Sequence, residues 1–421
     1  MLSPETKAEW QSSFRALAHR DFRLYMIGQA VSLTGTWMQG VAQSWLVYRL
    51  THSEAMLGVT LFATHAPVLF LGPLGGMVAD RLPRRGIVFF TQLFALIQAL
   101  TLAWLTHTNQ VTTAHVIALS VMLGIINSFD IPGRQSLFVQ MVGREDLISA
   151  ISLNSAVFNF SRVFGPSLGG LLVAIMGESF CFLLNATSFV AMLVCLARMR
   201  IPAASKAGHQ TAPSGFWDGF RYAWERREVA IVLAMSGLLN LACAPVLALG
   251  PFFADGIFHQ GSAGLGFLGG AMGFGAVIGV LRLARHRGIA QLPHVILWSS
   301  LVMGVALAAF AFSQWFVFSL LMMPAIGFAL MRQNAGGNSL LQTTVPDEFR
   351  GRLMALYTMV VTGLMPLGSL ASGMLAERYG PRTVVAAGAL LCLAGAMAFH
   401  IALPCMERWV ARQEEEICVI S

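Results

Sequence analysis

The residues best equipped for chemistry in this chain are Asp130 and Arg134, in the segment FDIPGRQ. Spaced four apart, they share one face of a helix, with Pro132 between them set to kink it and free a carbonyl. The surrounding run is apolar, and Asp130 is the single acid of 20 that falls at such depth. A carboxylate held in hydrocarbon is costly, so it asks for a cation or a task. Protonating Asp130 would release an arginine, which makes the pair a proton or substrate switch. The alternative is a static ion pair that braces a helix bundle. By the rise per residue, Asp130 lies about 15 Å from one polar end of its run, and Arg162 about 20 Å from the same side in the next run. Arg162 is therefore a second cation in reach of Asp130.

Other polar residues are spaced for binding. In the first apolar run Gln29, Ser32, Thr36, Gln39 and Gln43 recur at three and four and form one stripe, the pattern of a pore-facing side. His65 sits near the middle of the second run, Asn240 lies beside Pro245, and Arg332, Gln333, Asn334 and Asn338 cluster in a later run. These are the candidate substrate contacts; hydrogen bonding between helices would explain them equally well without a ligand. A lone histidine on an apolar helix is usually structural, with proton coupling as the sharper reading. Within the runs three arginines face one aspartate, which favours an anionic or neutral amphipathic small molecule over a cation. No Walker loop, zinc-ligand spacing or nucleophile elbow is present, so the expectation is no catalytic residue, no metal and no cofactor beyond a proton gradient.

The elements that must position these residues are membrane helices. The 421 residues are 56% hydrophobic and only 11% charged, with mean hydropathy +0.68, whereas soluble chains carry about 25% charged residues. Apolar runs of about 20 residues fall near 23–48, 56–79, 86–106, 114–139, 148–175 and 180–198. Six more fall near 229–253, 262–281, 291–312, 315–342, 353–376 and 382–404. Of 27 Lys and Arg, 21 lie on the side of the N-terminus, three opposite and three within runs, so both termini are expected in the cytoplasm. The basic balance is thus a topology signal and gives no reason to expect nucleic acid. A segment around Trp10 to His19 reads as lying at the headgroups. The stretch 199–228 reads as a linker ending in an amphipathic helix (FWDGFRYAWERR), and 405–421 as a tail. The six cysteines show no pairing pattern and read as reduced.

The chain repeats itself. A shift of 203 residues lays Gly76 on Gly279, Gly124 on Gly327, Gly133 on Gly336, Glu145 on Glu348 and Gly177 on Gly380. The expected architecture is therefore an all-α membrane protein of two pseudo-symmetric six-helix bundles, 1–198 and 229–404, with a substrate path between them. The second copy of one turn has decayed, since Asp80 falls on Leu283 while Arg287 keeps the place of Arg84.

That turn is GGMVADRLPRRG, Gly75 to Gly86, and its form G-x-x-x-D-R-x-x-R-R resembles the loop between helices 2 and 3 of the major facilitator superfamily. SRVFGPSLGG, Ser161 to Gly170, resembles the antiporter motif of that superfamily, with Ser161 where glycine is usual. Segments such as GREDLISAISLNSAVFNFSRVFGP and FLLNATSF look like its exporter branch, which includes the enterobactin and macrolide efflux proteins. With the charge balance above pointing to a siderophore- or antibiotic-like cargo, the resemblance, which names no substrate by itself, implies a proton-driven exporter in a bacterial inner membrane that works by alternating access. It implies a cytoplasmic latch at Gly76, Asp80, Arg81, Arg84 and Arg85, and an antiporter role for Gly165, Pro166, Gly169 and Gly170. The expected partners are that small molecule and the bilayer, with the protein a monomer. An importer or facilitator on the same fold, or a non-transporting membrane sensor, are the rival readings.

Overall fold

The computed structural model describes residues 14–143, 145–200, 216–283 and 288–420. Among the described residues there is no strand, and the chain forms thirteen α-helices. In a bilayer core each backbone donor and acceptor must be satisfied within the segment, which leaves a helix as the only form for a lone apolar run. These helices are α1 (Arg20–Thr51), α2 (Glu54–Arg81), α3 (Arg84–His107), α4 (Thr113–Val142), α5 (Leu147–Met176) and α6 (Glu178–Arg198). A short α7 (Phe216–Glu225) is followed by α8 (Arg227–Ala248), α9 (Gly261–Leu283), α10 (Leu292–Phe312), α11 (Phe316–Thr344), α12 (Asp347–Tyr379) and α13 (Pro381–Ile420).

Eleven of these are long and apolar enough to cross a membrane. The twelfth span is α1, 32 residues long, whose hydropathy is lowered by Gln29, Ser32, Gln39 and Gln43. All four are buried, so their polarity never meets lipid. The protein is therefore an all-helical membrane protein of twelve spans.

The sequence repeat is carried into the structure. The shift of 203 takes the start of α4, Thr113, onto that of α11, Phe316, and the end of α5, Met176, onto that of α12, Tyr379. Gly177 and Gly380, which close those two helices, have φ of 82° and 84°, a left-handed conformation that costs glycine little. The chief helix pairings also repeat: α1–α6, α3–α6, α1–α5 and α3–α4 correspond to α8–α13, α10–α13, α8–α12 and α10–α11.

The chain divides into two compact units, one of Met1–His52, Ala63–His209 and Gly261–Gly266, the other of Ser53–Phe62, Gln210–Gln260 and Phe267–Ser421. At the end of the first unit where α1 begins, Phe22, Tyr25, Leu137, Phe138, Met141, Met192 and Leu196 form a buried apolar cluster. The segment expected at the headgroups is described from Phe14 onward. There a turn at Arg15–Ala18 buries Ala16 completely, its N–H donates to Ser149 Oγ at 3.2 Å, and His19 Nε2 lies 2.9 Å from Asp146. This part packs on the bundle because Ala16 is small enough to seat against α5.

In the second unit α7 stacks Tyr222 on Phe349 of α12 at 4.7 Å and leaves Phe220 and Trp224 exposed. Burial raises the Tyr222 phenol pKa above its usual value. The expected tail continues as part of α13, with Met406 and Val410, one turn apart, buried. The linker from 201 to 215, Arg144 and Arg287 lie outside the described residues.

Candidate functional site

Helix α4 is set in place by close backbone crossings. A Cβ on Gly75 of α2 would come within 1.9 Å of the Ser128 carbonyl oxygen, and one on Gly124 within 2.6 Å of that of Thr64. Asp130 stands two residues beyond Ser128 and is only 7% exposed. Its Oδ2 accepts from Arg134 Nε, and its Oδ1 accepts from Thr91 Oγ1 at 2.6 Å and Gln92 Nε2 at 3.2 Å, both from α3. Ser32 Oγ of α1 donates to Gln92 Oε1 at 3.3 Å, which draws a third helix into the network. Each carboxylate oxygen thus holds a donor, and one donor is cationic, which is what a charge at this depth requires. Arg162 places its guanidinium over the Trp37 ring, 6.0 Å from the centroid.

The polar stripe of α1 is turned toward neighbours in its own unit. Gln39 Nε2 donates to Gln98 Oε1 at 3.1 Å and its Oε1 accepts from Asn185 Nδ2 at 2.7 Å. Gln43 Nε2 donates to Ser120 Oγ at 2.8 Å, and Thr36 Oγ1 to the Ser32 carbonyl at 2.9 Å. Where spacing suggested a pore-facing side, the structure shows hydrogen bonds to α3, α4 and α6. Period 3.6 fixes that the residues share a face but not which way it points. His65 is exposed on α2.

In the second unit Asn240 Nδ2 donates to Asn334 Oδ1 at 2.9 Å, and Tyr357 of α12 donates its hydroxyl to the Asn334 carbonyl. Arg332 lies over the Phe328 ring at 5.5 Å, and Asn338 Oδ1 accepts from Gln342 at 2.9 Å.

The two sequence motifs resolve into contacts. In the α2–α3 turn Asp80 and Arg81 are exposed, and among the described residues Asp80 has no ion-pair partner. The arginines bind carbonyls instead: Arg84 Nη1 donates to Ser136 and Arg85 Nη2 to Ala197, each at 3.1 Å. Ala197 lies in the last turn of α6, whose carbonyls lack helical donors. The glycine that makes the close approach is Gly75; Gly76 has open space at its Cβ position.

In α5, a Cβ on Gly165 would meet Trp37 Cβ at 2.4 Å, one on Gly169 the Met38 backbone at 2.9 Å, and one on Gly170 the Ser262 carbonyl at 2.4 Å. Pro166 places its carbonyl 2.5 Å from the Cβ position of Gly266 on α9. Gly-Pro followed by Gly-Gly is thus a backbone-to-backbone seam with α1 and with the start of α9. Ser161, in place of the usual glycine, is fully buried and its hydroxyl lies 3.1 Å from that of Thr34.

Sequence reasoning missed Thr91, Gln92 and Tyr357. The first two carried a signal, polar side chains inside an apolar run, but nothing in one dimension ties them to a residue about 40 positions on.

A family model described as a transmembrane secretion effector matches residues 11–416. The multidrug efflux pump Tap of Mycolicibacterium fortuitum is 25% identical over 352 residues, covering 81% of this chain and 85% of that protein. The enterobactin exporter EntS of Shigella boydii is 25% identical over 355 residues, 84% of each chain. The crystal structure of the nucleoside transporter NupG superposes with a TM-score of 0.72 over 91% of this chain and 99% of that one, at 17% identity, a likeness of fold.

Proposed function

This chain belongs to the transmembrane secretion effector family, in the exporter branch of the major facilitator superfamily, and from that premise we propose that it expels small amphipathic organic molecules in exchange for protons. It is a multi-pass membrane transporter and not an enzyme. Relatives named for enterobactin export and multidrug efflux favour a siderophore- or antibiotic-like cargo. Arginines at 162 and 332, each over an aromatic ring, suit anionic or neutral groups. The half-buried Arg332, Asn334 and Asn338 of the second unit are the polar side chains we assign to cargo contact. The excess of Lys and Arg on the N-terminal side supports cytoplasmic termini in a bacterial inner membrane, with the α2–α3 turn as a cytoplasmic latch and alternating access as the transport mode.

The observation that carries proton coupling is the buried Asp130–Arg134 pair within its network from α1 and α3. A proton added to Asp130 removes the charge that holds Arg134 and leaves a buried guanidinium seeking acceptors. That is a local charge change able to bias one packing of the bundle over another. The test is Asp130→Asn in proteoliposomes, with a catecholate siderophore and a macrolide as probes. Efflux driven by a pH gradient should be lost while exchange down a cargo gradient persists. Efflux that keeps its pH dependence in the variant would remove Asp130 from the coupling.

A further inference from the structure

Among the described residues, three buried polar atoms of α1 and α4 have no hydrogen-bond partner: Arg134 Nη1, Tyr25 Oη and Gln29 Oε1. Tyr25 is fully buried and Gln29 only 5% exposed. The two stand one turn apart on α1, and Ser32, the next residue of that face, reaches Gln92, which itself donates to Asp130. This side of α1 therefore lies against the carboxylate. The Tyr25 ring packs edge-on against Phe138, 5.5 Å away and one turn past Arg134, and Tyr25 lies within electrostatic reach of both Asp130 and Arg134. Phenylalanine and methionine would fill the same space without leaving buried polar atoms unmet. Polar atoms kept at such a cost, next to a half-satisfied guanidinium, point to a partner that arrives in another state.

We propose that Tyr25 and Gln29 are a second seat for the Arg134 guanidinium, which it takes when Asp130 is protonated. The inference rests on the reading of Asp130 as the coupling carboxylate. In the step, a proton adds to the carboxylate oxygen that accepts from Arg134 Nε. That hydrogen bond is lost, the guanidinium keeps its charge, and its N–H groups donate to Gln29 Oε1 and Tyr25 Oη. No other bond is made or broken.

The charged and titratable groups around the switch come from each helix packed on α4. Arg134 lies on α4 itself and Tyr25 on α1. Helix α3 brings Arg84, bound to the Ser136 carbonyl, and α5 brings Arg162, over Trp37. Helix α2 brings His65 and Asp80, both exposed.

The experiment is an infrared titration of the protein in liposomes, following the protonated-carboxyl band that Asp130→Asn identifies. Tyr25→Phe and Gln29→Met each remove an acceptor from the protonated state only. Each should move the midpoint to lower pH by about one unit, a tenfold change in proton concentration, or about 1.4 kcal/mol. Melting temperature should hold or rise, since an unmet polar atom is gone, so a purely structural role would not reproduce this pair of results. Because Phe is isosteric with Tyr short of its hydroxyl, and Met close to Gln in length, the two variants test the seat independently of each other's folding. Unmoved midpoints, or midpoints moved upward, overturn the proposal. If Asp130→Asn itself retains pH-driven efflux, the coupling reading falls. If that variant uncouples while both midpoints stay in place, the second seat alone falls.

Discussion

Adjacent glycines in the α2–α3 turn motif should respond in opposite ways to the same methyl group. At Gly75 a Cβ would stand 1.9 Å from the Ser128 carbonyl oxygen, a backbone atom that no side-chain rotation can move. Ordinary contact begins near 3.4 Å, so Gly75→Ala must part α2 from α4 by about 1.5 Å. Overpacking of this kind costs about 1–3 kcal/mol, and the contacts that open along the seam add to it. At Gly76 nothing lies within 4 Å, and alanine there brings the helix-propensity gain of about 1 kcal/mol. The propensity gain is common to both positions of α2 and cancels, so the two variants should differ by roughly 1–3 kcal/mol, with Gly75→Ala the weaker. The free cysteines at 181, 243 and 392 are buried, so a thiol-reactive dye reports unfolding of each protein on heating in one detergent. Gly75→Ala melting at or above Gly76→Ala would refute the crossing as described. Because Ser128 is two residues from Asp130, the weaker variant should also disturb pH-driven transport.

Gln39→Leu strands Gln98 Oε1 and Asn185 Nδ2 and should cost about 1–3 kcal/mol for each unmet atom, whereas the triple variant Gln39→Leu, Gln98→Leu, Asn185→Leu should recover much of the loss; thermal melts of the set decide it. Ser161→Gly should cost about 1–2 kcal/mol, its contact with Thr34 plus about 0.5 kcal/mol of helix propensity, while Ser161→Leu should cost about 1–3 kcal/mol by overpacking a fully buried site, again read from melts.

Much of the fold is one-dimensional information. Hydropathy and run length fix the helices, because a bilayer leaves an apolar run no other form, and the shift of 203 survives as matched helix ends at 113 and 316, 176 and 379. The Asp130–Arg134 contact was equally legible, since residues four apart on one helix meet whatever surrounds them. Tertiary packing alone decided the rest. It turned the glutamine stripe of α1 inward onto α3, α4 and α6, because helical period sets a face but not its azimuth. It supplied Thr91 and Gln92 to Asp130 from a separate helix, and it chose Gly75 over its neighbour for the crossing with α4. Rotation and approach of whole helices are settled by shape between distant segments, and no spacing within a single segment records them.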